Sequence, residues 1–217
     1  MEILTEAQRR FLRVAASVET FRSSFFLTGG TALAAFFLRH RWSEDLDLFT
    51  AVPKAVPLAV AELRGPIEAA GFGIEIVRRF PTFAELRVAG AGEVLKIDLA
   101  EDTPFRLAPV DPGRAEGVDL DSLEDIAANK LAALFGRAEP KDFVDTFFLA
   151  KERLPLAELV EQARKKHIGM DDYWFAQAYA RVRTVSLLPR MIRSVDLHEM
   201  KTFFLAEADR LMRATTI

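Results

Sequence analysis

Apolar residues recur at helical spacing between Thr5 and Glu19, where Phe11, Leu12, Ala15 and Val18 share a face and Thr5 can cap the start. Phe25-Phe26-Leu27 predicts a short strand running into Gly29-Gly30. Thr31 to His40 predicts a helix apolar on all sides, and hence buried. Asp45-Leu46-Asp47-Leu48-Phe49 alternates with period two and predicts a second strand. Leu58 to Ala70 is helical and stopped by Gly71. Ile74–Arg79 and Phe83–Val88, joined around Pro81, predict two further strands, and Val94–Leu99 predicts another. Residues 101–120 mix Pro, Gly and Asp with few apolar positions and predict a linker or surface loop. From Asp121 the spacing is helical, over 122–136, 140–151, 156–167, 172–183 and 196–213. The expectation is an α+β fold, a sheet-containing part over 1–120 followed by a helical part over 121–217.

Half of the 217 residues are hydrophobic, 18 of them Phe, which excludes a mainly disordered chain. The longest uncharged stretch, Ser23 to Leu38, is too short and too glycine-interrupted for a membrane span. Met1-Glu2-Ile3 has no basic flank leading into an apolar block, so no signal peptide is expected and the location is expected to be cytoplasmic. Without cysteine, thiol catalysis and Cys-ligated zinc are excluded. His40, His167 and His198 are too scattered for a histidine metal centre, so any metal must be a hard ion on carboxylate oxygens. The net charge of −3 argues against a general basic nucleic-acid binder. The sum hides an asymmetry, because the chain from 151 onward is net positive. There Arg181, Arg183, Arg190 and Arg193 follow one another without an intervening acid, as a solvated helix face or an RNA contact would.

Asp45 and Asp47, two apart on a strand, leave the same face while Leu46 and Leu48 enter the core. Two like charges side by side are costly unless a cation sits between them, and Mg2+ (or Mn2+) is the natural occupant. Upstream, the strand, the glycine pair and the helix start at Thr31 allow close backbone approach to a phosphate; a plain capped turn is the bland alternative. Downstream, Lys96 and Asp98 share one face of a strand, and a neighbouring position would bring Asp98 beside the aspartate pair. Three carboxylates around two Mg2+ ions would serve phosphoryl or nucleotidyl transfer.

In the helical part, Leu123, Ile126, Ala127, Leu131, Leu134 and Phe135 form one apolar arc, and Lys130 falls inside it. A lysine there needs an anion nearby, unless it snorkels to solvent. Asp142, in the first turn after Pro140, suits the helix dipole and shares an edge with Asp145.

Strand, Gly-Gly, helix, Asp-x-Asp strand and a later strand with a third Asp together resemble the nucleotidyltransferase superfamily. Gly29-Gly30-Thr31-Ala32-Leu33 followed by Arg41-Trp42-Ser43-Glu44-Asp45-Leu46-Asp47-Leu48-Phe49 resembles the first motif of the AbiEii/AbiGii (MenT-like) toxin family. Lys96-Ile97-Asp98 resembles its second motif. Asn129-Lys130-Leu131 with Arg137, and Lys141-Asp142 with Asp145, resemble its third and fourth. The resemblance spans about residues 25 to 150; the chain from 151 carries no matching motif.

It implies a nucleotidyltransferase-like mixed sheet flanked by helices, followed by a C-terminal helical bundle that closes the active-site cleft. It also implies Mg2+-dependent transfer of a nucleoside monophosphate from an NTP to an acceptor, the 3′ end of tRNA for its best-known members. A neighbouring antitoxin of the transcriptional-regulator type would be the partner. By the same resemblance, Asp45, Asp47 and Asp98 hold the metals, and Gly29, Gly30 and Thr31 cradle phosphates with Ser43 nearby. Arg41 and Lys130 balance triphosphate charge, with Lys130 either reaching the nucleotide or pairing with the catalytic acids, and Asp142 orders the site. Two alternatives stand beside this: a small-molecule nucleotidyltransferase, and a non-catalytic nucleotide-binding module.

Overall fold

Thr5 opens the first helix, α1 (Glu6–Ala16), through a capping box in which its hydroxyl accepts from the Gln8 amide and the Gln8 side chain accepts from the Thr5 amide. The structure, a computed structural model, describes residues 2–90 and 92–214. The chain divides into two compact units. The first comprises the residues up to Phe37 together with Ser43–Ser122, and the second comprises Leu38–Trp42 together with the chain from Leu123 onward.

In the first unit, α1 is followed by α2 (Glu19–Ser24), β1 (Phe25–Thr28) and a single helical turn, α3 (Gly29–Ala32), which widens into a π-helical segment over Leu33–Leu38. Then come β2 (Leu46–Thr50), α4 (Ala55–Ala69), β3 (Gly73–Phe80), β4 (Phe83–Gly90), β5 (Glu93–Glu101), β6 (Asp111–Ala115) and β7 (Val118–Leu120). Among the described residues these strands form one mixed seven-stranded sheet in the order β3-β4-β5-β2-β1-β7-β6. β2 runs parallel to β5 and β1 parallel to β7, while the other neighbours are antiparallel.

The registers explain the alternating pattern. Leu46 lies opposite Ile97 and Leu48 opposite Leu99 across β2 and β5, and across β4 and β5 Leu86 faces Ile97 and Val88 faces Leu95. These side chains are buried together with Phe11, Leu12, Phe21, Val56, Val60 and Leu63 of α1, α2 and α4. The period-two stripe thus makes the core, and the intervening residues are left for the opposite face.

Residues 101–120 correct the sequence expectation of a linker or loop. They contain β6 and β7, and β7 is an interior strand beside β1, with Val118 and Leu120 buried and the Asp121 amide donating to the Leu27 carbonyl at 2.9 Å. Three residues carry too little periodicity to signal a strand, and the sequence of β6, Asp-Pro-Gly-Arg-Ala, opposes one. Pairing with β1 overrides local propensity here.

The second unit contains α5 (Leu123–Gly136), α6 (Pro140–Glu152), α7 (Leu156–Lys166), α8 (Asp172–Ala180) with a 3-10 turn over Arg181–Thr184, and α9 (Leu197–Ala214). Its core is aromatic. Phe143 meets Phe204, Phe204 meets Tyr179, and Tyr179 meets Phe175, with ring centroids 5.1, 5.6 and 5.6 Å apart. A fully buried ion pair joins Lys166 on α7 to Asp125 on α5 at 2.8 Å. Leu38–Trp42, expected inside a helix and its following turn, belongs to this unit because its backbone is tied to Arg190–Arg193. The Trp42 amide donates to the Arg190 carbonyl at 2.8 Å, and the Ile192 and Arg193 amides both donate to the His40 carbonyl.

Candidate active site

In the first unit, β2 and β5 place Asp47 directly opposite Asp98. Glu85 on β4 lies opposite Asp98 on its other side, so three acids stand abreast on the sheet face away from the leucine stripe. Glu85 is committed: Arg78 Nε donates to it at 2.8 Å. Asp45 stands one residue before β2, half-exposed. Lys96, two residues before Asp98 on β5, donates to Asp98 Oδ2 at 2.6 Å and lies 3.7 Å from Asp45 Oδ2. Burial works to lower its pKa, but the hydrogen bond to Asp98 and the attraction of Asp45, Asp98 and Asp47 outweigh it, so the ammonium is held above its ordinary value. Asp98 Oδ1 is buried and has no hydrogen-bond partner. Among the described residues no three acids are gathered closely enough to hold a metal ion between them.

The glycine turn is built against this face. Gly29 has φ +71°, and a Cβ on it would fall 1.9 Å from Asp47 Oδ2, so only glycine allows the β1–α3 turn to lie against that carboxylate. As the first residues of a helical turn, Gly29, Gly30 and Thr31 have N–H groups with no intrahelical acceptor. The Thr31 side chain is used elsewhere. It is buried, and its hydroxyl donates to the Asp45 carbonyl, fastening the entry to β2. Ser43 and Glu44 are held from α1, where Gln8 Nε2 donates to their carbonyls at 3.4 and 3.0 Å. Gln8 is buried, and sequence reasoning gave it no role.

The second unit centres on Asp145, fully buried in α6. Arg41 grips it bidentately, Nε to Oδ1 at 2.6 Å and Nη2 to Oδ2 at 2.8 Å. Lys130 Nζ lies 2.9 Å from Oδ2, and His40 Nε2 lies 2.8 Å from Oδ1. Burial alone would raise the Asp145 pKa, but Lys130, Arg41 and His40 hold it well below the ordinary value. His40 moves down, because burial opposes its charge more than Asp145 favours it.

Lys130 therefore pairs with Asp145, and Arg41 shares the same carboxylate. Asp142 does different work. It takes Arg137 bidentately at 2.8 and 2.8 Å and accepts from the Glu139 amide at 3.1 Å, closing a capping box at the start of α6. The acid that sequence reasoning undervalued is Asp145. The signal for it was Lys130, a lysine on a buried arc, which required a carboxylate one helix away.

Acids side by side on adjacent strands, with a glycine turn packed against them, define a nucleotidyltransferase-like site on a nucleotidyltransferase-like sheet. The chain belongs to the family of AbiEii nucleotidyl transferase toxins of type IV toxin–antitoxin systems, which matches residues 10–215. It is a nucleotidyltransferase of this toxin type.

Two solved structures share the fold. The crystal structure of JHP933 from Helicobacter pylori has a TM-score of 0.60 and 21% identity, covering 97% of this chain and 94% of that one. MenT4, the nucleotidyltransferase toxin Rv2826c from Mycobacterium tuberculosis H37Rv, has a TM-score of 0.57 and 18% identity, covering 95% of this chain and 82% of that one. No curated protein matches the chain significantly. No helix among the described residues is long and apolar enough to cross a membrane.

Proposed function

We propose that the chain transfers a nucleoside monophosphate from an NTP to the 3′ end of tRNA, with Mg2+ (or Mn2+) held by Asp45, Asp47 and Asp98. The observation that carries this reading is the Asp47–Asp98 pairing across β2 and β5, with one buried Asp98 oxygen still lacking a partner. The residues suit a hard divalent ion: their donors are all carboxylate oxygens, and glycine at position 29 lets the phosphate-binding turn lie against Asp47. When bound, the metal neutralises triphosphate charge and lowers the pKa of the attacking hydroxyl.

The chain's own residues supply the rest. Asp98 takes the proton of the acceptor hydroxyl as its oxygen attacks the α-phosphorus; the bond to the β-phosphate breaks and pyrophosphate leaves. The Gly29, Gly30 and Thr31 amides hold phosphate oxygens, with Ser43 beside them. Thr31 and Gln8 keep the strand entry in place through the backbone of Ser43–Asp45. In the second unit, Asp145 holds Arg41 and Lys130, and Asp142 orders Arg137 and the start of α6. Membership of a type IV toxin family implies an antitoxin, which we place among transcriptional regulators.

The modest net charge supports a second acceptor class, a small molecule. Incubating the protein and its Asp47→Ala variant with labelled NTPs, and either total tRNA or a small-molecule panel, separates the two. Label on tRNA 3′ ends with the wild type alone is the expected result. Label only on a small molecule, or none with either acceptor, overturns the tRNA reading.

A further inference from the structure

Among the described residues, Lys96 is the cation that the structure sets between acids assigned to the metal. It lies two residues from Asp98 on β5, so both side chains leave the same face. The register that pairs Leu46 with Ile97 continues outward to bring Asp45 level with Lys96. The ammonium spans the two, 2.6 Å from Asp98 Oδ2 and 3.7 Å from Asp45 Oδ2. A divalent ion shared by these carboxylates draws on the same two groups. Asp98 can offer its buried, unpartnered Oδ1 while Oδ2 is held by lysine, but Oδ2 only after the ammonium withdraws.

We propose that Lys96 is the resident counter-ion of this site: its ammonium stands in for the divalent cation in the metal-free protein and competes with it for Asp98 and Asp45. The inference rests on the metal reading given above and adds a regulator to it.

Charge explains the need. Asp47 and Asp98 are neighbours across two strands, with Asp45 close by, and without a cation their mutual repulsion destabilises the sheet at that point. Lysine suits this role better than arginine. Its charge is a compact point on a flexible four-carbon stem, and its side chain is 38% exposed, so the ammonium can swing into water when a stronger cation arrives. The neighbouring basic residue, Arg87 on β4, faces Lys96 in register and adds pressure for that departure. A monovalent ammonium against a divalent ion makes the exchange favourable yet incomplete at low metal, so metal uptake becomes graded.

The test is binding of Mn2+ alone to the full chain, without nucleotide, by electron paramagnetic resonance, together with thermal melting with and without Mn2+. Lys96→Met removes the competitor. Its Mn2+ affinity is expected to rise roughly 3- to 10-fold, in keeping with a half-exposed charge pair. Its metal-free melting temperature is expected to fall, and the increment on adding Mn2+ to grow. Lys96→Arg keeps a competing charge and is expected to stay within about 2-fold of the wild type, showing that charge rather than stem packing is responsible. Equal or weaker Mn2+ binding by Lys96→Met than by the wild type overturns the Lys96 assignment and leaves the metal reading standing. Failure of Mn2+ to bind either protein removes the metal site itself, and this proposal with it.

Discussion

Asp47 and Asp98 face each other directly across the parallel strands β2 and β5, a pairing that joins residues from motifs some fifty positions apart. Folding holds two carboxylates together that would separate if free to do so. Such an arrangement suits the cation that the proposed function places there, and it sets the expected behaviour of variants at both positions.

Asp47→Asn or Asp98→Asn is expected to cut nucleotide transfer by about 100-fold or more, since each removes a charge that the proposed function sets at the reacting phosphate. Metal-free stability should hold or rise slightly in Asp47→Asn, because repulsion is relieved, and should fall in Asp98→Asn, which also weakens the ion pair with Lys96. Single-turnover assays beside thermal melts test the pair of outcomes; activity retained within a few-fold would end the assignment of that residue.

Gly29→Ala is expected to damage both fold and activity. The added Cβ meets the Asp47 carboxylate at 1.9 Å, and φ of +71° is strained for any side chain. A loss of about 1–3 kcal/mol in denaturant unfolding is expected from the strain alone. Nucleotide transfer should fall further than stability explains, since Asp47 must move.

Asp145→Ala is expected to be among the most destabilising single changes in the second unit. It takes the carboxylate from Arg41 and Lys130, both buried, and a broken buried pair costs about 3–5 kcal/mol. Asp142→Ala loses a cap and one bidentate partner that remains half-exposed, and should cost about 1–2 kcal/mol. Urea unfolding of the two variants side by side gives the order.

Acidification should weaken the fold in two windows. His40 has its pKa lowered from 6.5 in the folded chain, so below pH 6.5 the unfolded chain binds a proton that the folded chain resists, and stability falls as pH drops from there. Asp145 sits well below 3.8, so its contribution is present above that value and is lost only in stronger acid. Melting temperatures between pH 8 and 5 for the wild type and His40→Gln check the first window: the variant should show a flatter profile.

How much of this was legible in the sequence depended on the range of the forces involved. The alternation in Asp45–Phe49 and Val94–Leu99 gave both strands and the facing of their acids, because period two is a local property. The strand order that sets Asp47 beside Asp98 was open, and only the registers close it. β7 was hidden because three residues carry no period, and its place beside β1 comes from pairing. α4 begins at Ala55, ahead of Pro57, a position in the first helical turn where proline is tolerated. Lys130 announced a buried partner but could not say which acid it was; Asp142 and Asp145 lie one turn apart, and a difference of one turn decided between a helix cap and a charge cluster.

The placement of Leu38–Trp42 with the helices has a consequence for how the protein is made. His40 and Arg41 emerge early from the ribosome, yet the backbone groups that receive their strand belong to Arg190–Arg193, and Leu38 and Arg193 lie 155 residues apart. At about 5–20 residues per second, roughly eight to thirty seconds separate their synthesis. No single cut frees either unit whole, since one after Ser122 leaves His40 and Arg41 on the wrong fragment. The segment that carries two of the three basic partners of Asp145 is therefore anchored only after Arg193 has been made, long after Asp145 itself.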